Sequence, residues 1–217
     1  EWLRGRLDDI DQQKQKFLRH VSHELKTPLA NLREGADLLA DEVPGPLSDR
    51  QGEIVSIVQH NSIELQRLIE NLLDYNQLPH QGIFPEAIEL DVLVASLLKN
   101  YHISVESKVL NVSHHWSVTE WFADRNKLKI ALDNVISNAV NYTPENGSIV
   151  LEAREEKGKL IIDIANSGMA IQEREEAHLF EPFYQGSSVR HGPIKGSGLG
   201  LSVAQECMQA QGGSLAL

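Results

Sequence analysis

His23 is the residue whose chemistry the rest of the chain must explain. It sits in Phe17-Leu18-Arg19-His20-Val21-Ser22-His23-Glu24-Leu25-Lys26-Thr27-Pro28-Leu29. A neutral imidazole is a nucleophile and proton carrier near neutral pH. Glu24 follows directly and can hold or take a proton. Thr27 is four residues on, hence on the same helical face as His23. Pro28 cannot donate to the carbonyl of Glu24, so a kink is expected beside the histidine. Each residue also has a plain reading: a helical histidine is commonly a surface residue, and a helical proline is commonly a bend.

Three further strings carry chemistry. In Asp133-Asn134-Val135-Ile136-Ser137-Asn138-Ala139-Val140-Asn141-Tyr142-Thr143, the residues Asn134, Asn138 and Asn141 share one helical face. Asparagine is a mediocre helix former, so three on one face suggest amide oxygens lining a site. Such a site suits Mg²⁺; a solvated face reads equally well. Asp163-Ile164-Ala165-Asn166-Ser167-Gly168-Met169-Ala170-Ile171 is a strand ending in a glycine turn. Lys195-Gly196-Ser197-Gly198-Leu199-Gly200-Leu201 opens a helix. Glycines let backbone N–H groups approach phosphates, and a helix N-terminus attracts anions, though a flexible hinge has the same composition. Between the last two lies Leu179-Phe180-Glu181-Pro182-Phe183-Tyr184, where core packing is the favoured reading of Phe180 and Phe183.

The elements that must position these groups fall into two segments, 1–82 and 83–217. In the first, Leu3, Leu7, Ile10, Phe17, Val21, Leu25, Leu29, Leu32, Ala36 and Leu39 recur at steps of three and four. They predict one long helix to about residue 42. Val43-Pro44-Gly45-Pro46-Leu47-Ser48 is a turn, after which Ser48 or Asp49 caps a second helix running to about Gln77, before Pro79. Its apolar positions are Ile54, Ile57, Val58, Leu65, Leu68, Leu72 and Tyr75, interrupted by Asn61, which either specifies register or is a solvated notch. A lone hairpin leaves half of each stripe uncovered. Two hairpins paired as a four-helix bundle cover it, so a homodimer is expected.

In the second segment the pattern turns to α/β. Glu86 to Leu90 reads as a strand, and Asp91 as the cap of a helix to about Tyr101. Val112, His114, Trp116 and Val118 alternate as in a half-buried strand, which makes His114 and His115 strand residues. Asp124 caps a helix from Arg125 to about Asn141. Ser148 to Glu155 and Leu160 to Ala165 form a β-hairpin through Glu156-Lys157-Gly158-Lys159, and a last helix runs from near Ser197 to about Ala210. Sheet and helices together predict a two-layer α/β sandwich.

Composition narrows the function. A formal net charge of −11 argues against non-specific nucleic-acid binding. The single cysteine, Cys207, excludes an internal disulfide and a cysteine-ligated metal; it reads as core filler. No apolar run is long enough to span a membrane. Both ends of the sequence look cut from a longer protein.

The string Ser22-His23-Glu24-Leu25-Lys26-Thr27-Pro28-Leu29 resembles the H box of bacterial sensor histidine kinases. The four later strings, in order, are similar to the N, G1, F and G2 boxes of that family's ATP-binding domain, which shares its fold with the gyrase, Hsp90 and MutL ATPases. His23-Glu24-Leu25-Lys26-Thr27-Pro28-Leu29-Ala30 followed by Leu32-Arg33-Glu34-Gly35 resembles the GlrK (QseE) type within the family. The resemblance implies a HisKA-type dimerisation and phosphotransfer hairpin followed by a GHKL (Bergerat-type) domain that binds ATP and Mg²⁺. It implies autophosphorylation of His23, with Glu24 as general base, and transfer to an aspartate on a response regulator receiver domain. Thr27 would position a water for dephosphorylating the regulator. Asn138 would be the Mg²⁺ ligand, with Asn134 beside the phosphates and Tyr142 along the nucleotide. Asn141, Asn166 and Gly168 would complete the nucleotide site. Tyr184 to Ser197 would form a mobile lid, and Lys195, Gly196, Ser197, Gly198, Leu199 and Gly200 would face the phosphates. The chain would be the cytoplasmic part of a sensor anchored in the inner membrane by upstream segments, and it would stop short of the family's last strands. Three positions depart from the family. Asn166 replaces an Asp, Ala170 a Gly, and Asn141 a Lys or Arg, so weaker or less base-strict ATP binding is expected. The competing readings are a nucleotide-binding pseudokinase scaffold, a phosphatase-dominant sensor and a clamp ATPase; a clamp has no use for a nucleophilic histidine.

Overall fold

The computed structural model describes residues 20–21, 24–77, 82–186 and 198–217. It divides into two compact units, the first ending at Gln77 and the second starting at Leu78. His23, residues 1–19, Pro79, Lys195, Gly196 and Ser197 lie outside the described residues, as does most of the expected lid.

The first unit is a helical hairpin. Helix α1 covers 24–40 and continues through Pro28. A turn leads to α2, Asp49–Gln77. Ser48 is the cap: its N–H and its hydroxyl both donate to Gln51 Oε1, at 2.9 and 2.8 Å, half of a capping box. Leu29 and Ala36 of α1 are buried with Val55, Ser62 and Ile69 of α2, and each set repeats every seven residues as in a coiled-coil contact. Gln59 Nε2 donates to Asp37 Oδ1 at 2.7 Å, and Lys26 pairs with Glu70 at 3.7 Å across the hairpin. The inner face of α2 therefore differs from the expected stripe. Small Val55 and Ser62 admit the close approach, the Ser62 hydroxyl being satisfied by the Val58 carbonyl at 2.8 Å. Much of the expected stripe (Leu25, Leu32, Ile54, Ile57, Leu65) is exposed, Leu32 by 59% and Ile54 by 60%. Asn61 is solvated.

The second unit begins with β1 (Pro85–Glu89) and α3 (Leu90–Leu98). A 3₁₀ turn (Lys99–Tyr101) leads to α4 (His102–Ser107), β2 (Asn111–Trp116), β3 (Glu120–Asp124) and α5 (Arg125–Tyr142). The hairpin β4 (Ser148–Glu156) and β5 (Lys159–Asn166) follows, then α6 (Glu173–Glu176) and α7 (Gly200–Ala210). Strands β1 and β3 form an antiparallel pair. A second sheet has the order β2-β4-β5, with β2 and β4 parallel and β4 and β5 antiparallel. Lys157 and Gly158 take φ of 52° and 76°, the signature of a two-residue primed hairpin turn. Leu90, Leu93, Val94 and Leu97 of α3 and Leu128, Leu132, Ile136 and Val140 of α5 pack with Ile149, Leu151 and Ala153 of β4 in one core. Helix α5 also packs on α7, where Val203, Ala204 and Cys207 are fully buried.

Two local expectations are corrected, and one strand was not expected. Asp91 does not cap α3; Glu89 occupies that position, and Asp91, in the first turn, accepts from Trp116 Nε1 at 3.2 Å. Strand β3 was not legible because Trp121-Phe122-Ala123 is an unbroken apolar run without alternation. The last helix begins at Gly200, with Leu199 as its cap.

Candidate nucleotide site

Helix α5 is the backbone of the site. Asp124 caps it, accepting the Lys127 N–H at 3.0 Å. Its carboxyl also accepts the Phe84 N–H at 3.0 Å. Burial pushes this carboxyl up, but the N–H donors of Lys127, Phe84 and Asn126 and the Lys127 cation outweigh it and hold it below the ordinary value. The Asp124 N–H donates to Gln211 Oε1 at 2.9 Å, which ties the start of α5 to the residue just past α7. The two helices are thereby fixed antiparallel, with Asn134 opposite the first residue of α7.

That juxtaposition is tight. A Cβ on Gly200 would stand 2.8 Å from Asn134 Oδ1. Asn134 is 3% exposed and its Nδ2 donates to the Ile130 carbonyl at 2.9 Å. Its buried Oδ1 has no hydrogen-bond partner among the described residues. An orphaned amide oxygen is costly unless something supplies a donor or a cation. Here it faces the end of a helix whose first N–H groups are free of intrahelical partners. One turn on, Asn138 is half-buried, and so are Asn141 and Tyr142. Asn141 Nδ2 donates to Ser137 Oγ at 3.2 Å.

The turn after β5 meets the other end of α5. A Cβ on Gly168 would collide with Asn166 Nδ2 at 2.6 Å and with the Tyr142 carbonyl at 2.9 Å. Only a glycine lets this turn lie on the last turn of α5. Ser167 anchors it to β4, accepting the Ser148 N–H at 2.7 Å on Oγ and donating its own N–H to the Ser148 carbonyl at 2.9 Å. Asn166 is exposed beside Gly168, and Ala170 has an ordinary negative φ, so its replacement of glycine strains nothing here.

The segment before α7 corrects one expectation. Phe183 is 64% exposed, not core; Phe180 is half-buried. Phe183 takes φ of 67° because its N–H must reach the Gly198 carbonyl at 2.8 Å. Gly198 has φ of 71°, and a Cβ there would stand 2.5 Å from both the Phe183 carbonyl carbon and the Tyr184 carbonyl oxygen. This interlock fixes the approach to Leu199 and Gly200.

The structure thus brings Asn134 and Gly200 into contact and sets Asn166 and Gly168 against the end of α5, where Tyr142 lies. Glu24 and Thr27 are exposed on α1 in the other unit. A shallow cleft of about 370 Å³ in the hairpin unit, bordered by Ala40, Leu47, Val55 and Gln59, holds none of the chemistry-bearing residues. Lys108, whose ammonium grips the C-terminal end of α5, is a residue that the motif strings do not contain.

Residues 13–81 match the His Kinase A (phospho-acceptor) domain. Residues 123–217 match the histidine kinase-, DNA gyrase B- and HSP90-like ATPase family. The chain is 44% identical over all 217 residues to the sensor histidine kinase GlrK of Escherichia coli (strain K12), covering 46% of that protein. It therefore spans about half the length of that relative. Among solved structures, full-length ShkA in complex with AMPPNP has the same fold over 91% of this chain and 41% of that one, with a TM-score of 0.67 and 24% identity. The histidine kinase ThkA, in complex with the response regulator TrrA, matches over 94% of this chain and 59% of that one, with a TM-score of 0.60 and 17% identity. With a phospho-acceptor domain and an ATPase domain in that order on one chain, the protein belongs to the sensor histidine kinases.

Proposed function

We propose that the chain is the kinase core of a two-component sensor. In this reading it autophosphorylates His23 from ATP and passes the phosphoryl group to an aspartate of a response regulator receiver domain. The observation that carries it is the buried Asn134 Oδ1, which has no hydrogen-bond partner among the described residues and faces Gly200 at the start of α7. Such an acceptor, beside the N–H groups of a helix's first turn, which lack intrahelical partners, and a position closed to any Cβ, suits a phosphate–metal group. Segments 1–82 and 83–217 are the two working domains.

The roles follow from donor chemistry. Asn138 offers an amide oxygen to Mg²⁺, with Asn134 beside the phosphates; bound there, the ion neutralises phosphate charge. Tyr142, Asn141, Asn166 and Gly168 border the nucleoside, Asn166 accepting from the base through its amide oxygen. Lys195, Gly196, Ser197, Gly198, Leu199 and Gly200 serve the phosphates. His23 attacks through Nε2: the P–N bond forms as the bond from the γ-phosphorus to the β-bridging oxygen breaks, and ADP leaves with the electron pair. Glu24 takes the Nδ1 proton. Positioning and charge neutralisation supply most of the rate. Thr27 holds a water for dephosphorylating the regulator, so Thr27→Ala spares labelling of His23 and slows regulator dephosphorylation.

The open apolar stripe of the hairpin (Leu25, Leu32, Ile54, Ile57, Leu65) supports a homodimer through a four-helix bundle. No described helix is long and apolar enough to cross a membrane; we place the chain on the cytoplasmic side of a sensor anchored elsewhere in its sequence. The site assignment is tested by titrating ATP with and without Mg²⁺ on the wild type and on Asn138→Ala. Mg²⁺ should tighten binding to the wild type and have little effect on the variant. Equal Mg²⁺ dependence in both would remove Asn138 from the metal site.

A further inference from the structure

The C-terminal end of α5 carries Asn138, Asn141 and Tyr142, and the last carbonyls of the helix have no next turn to bond them. Lys108, the half-buried residue that ends α4, meets them. Its Nζ donates to the carbonyls of Val140 at 2.8 Å, Asn141 at 3.0 Å and Thr143 at 3.1 Å. The Val140 carbonyl cannot have a normal helical partner, because the residue four further on is Pro144, which lacks an N–H. An ammonium has three donors, and its charge sits at the negative end of the helix dipole. The main chain adds a second tie, since the Asn146 N–H donates to the Lys108 carbonyl at 2.8 Å.

The two carbonyls of Asn141 and Thr143 flank that of Tyr142. It is the Tyr142 carbonyl on which the Gly168 turn rests, too close for any Cβ. Lys108 therefore grips both sides of the contact that sets the distance between α5 and the Asn166–Gly168 turn. We propose that Lys108 is a positioning residue for the nucleotide. It touches no substrate, but it fixes the end of α5 so that Asn138, Asn141 and Tyr142 keep one spacing from Asn166 and Gly168. The inference rests on the nucleotide-site reading above.

A helix cap with no such role would lower stability alone. The test therefore compares ATP affinity, by calorimetric titration with Mg²⁺, in the wild-type chain, Lys108→Met and Leu97→Ala. Leu97→Ala is a core variant of α3 whose loss of stability is the reference. Lys108→Met should weaken ATP binding by about tenfold, as expected when binding groups are displaced by a fraction of an ångström. Leu97→Ala, at a similar fall in melting temperature, should bind ATP as the wild type does. Affinities of the two variants within twofold of each other would overturn the inference alone. A wild-type chain that binds no ATP would overturn the functional reading and this inference with it. If Lys108→Met does not fold, Lys108→Arg serves: it keeps the cation, but a planar fork cannot send three donors from one atom to the three carbonyls. A several-fold loss of affinity is expected for it, and wild-type affinity would refute the role.

Discussion

Gly200→Ala puts a methyl group where Asn134 already stands. The added Cβ would lie 2.8 Å from Asn134 Oδ1, against an ordinary contact of 3.4–4 Å. Asn134 cannot easily yield, because it is 3% exposed and its Nδ2 is bonded to the Ile130 carbonyl at 2.9 Å. Overpacking of this kind costs about 1–3 kcal/mol, and loss of the Nδ2 bond about 1 kcal/mol more. Alanine is the better helix former by about 1 kcal/mol, which offsets part of this. The net expectation is a loss of about 2 kcal/mol in stability. Displacement of the amide oxygen should also lower ATP affinity, by roughly tenfold for each 1.4 kcal/mol of lost interaction. Urea denaturation and calorimetric ATP titration read the two effects separately. Adding Asn134→Ala removes the clash, so the double variant should regain much of the stability lost by Gly200→Ala but none of the affinity. A Gly200→Ala chain as stable and as tight-binding as the wild type would refute the contact on which the site is built.

Other perturbations follow from the same geometry. Asn166→Asp restores a charged acceptor at an exposed position. A charge-assisted bond exceeds a neutral one by about 1 kcal/mol, so competition titration should show ATP binding about fivefold tighter and preferred more strongly over GTP; unchanged binding would remove Asn166 from the base site. Asp124→Ala removes the α5 cap and should cost about 1–2 kcal/mol at pH 7. The folded-state pKa of Asp124 is depressed, so its stabilisation is complete above the usual value of 3.8 and fades as pH falls through the lower folded value. The stability gap between variant and wild type should thus narrow below about pH 4; a gap independent of pH would assign the cap's worth to packing. Ile54→Glu places a charge on the open stripe of the hairpin and should shift the chain from dimer to monomer in sedimentation experiments. A variant that stays dimeric would move the interface elsewhere.

The chemistry-bearing strings were legible because their residue types are unusual for their elements. Three asparagines on one helical face, and glycines where a helix opens, stand out from ordinary propensity. The caps at Ser48 and Asp124 and the Lys157-Gly158 turn were legible for the same reason, since each is a local rule. What the sequence hid is tertiary. Trp121-Phe122-Ala123 shows no alternation, so β3 could not be told from a buried loop. Phe183 reads as a core aromatic, yet a backbone bond to Gly198 turns it outward. Lys108 resembles any solvated lysine at the end of a short helix. Its role depends on carbonyls more than thirty residues away in the sequence, and Pro144, which frees one of them, is the only local sign. In the hairpin, the inner stripe is shifted because two small residues, Val55 and Ser62, let the helices approach.

Phosphoryl transfer to His23 is tested by covalent labelling. The chain and its His23→Gln variant would be incubated with γ-³²P-ATP and Mg²⁺, and the label's stability measured in acid and in alkali. Acid-labile, alkali-stable label is expected on the wild type and none on the variant. Label that survives acid, or that persists in His23→Gln, would contradict it, as would an unlabelled wild type that still binds ATP.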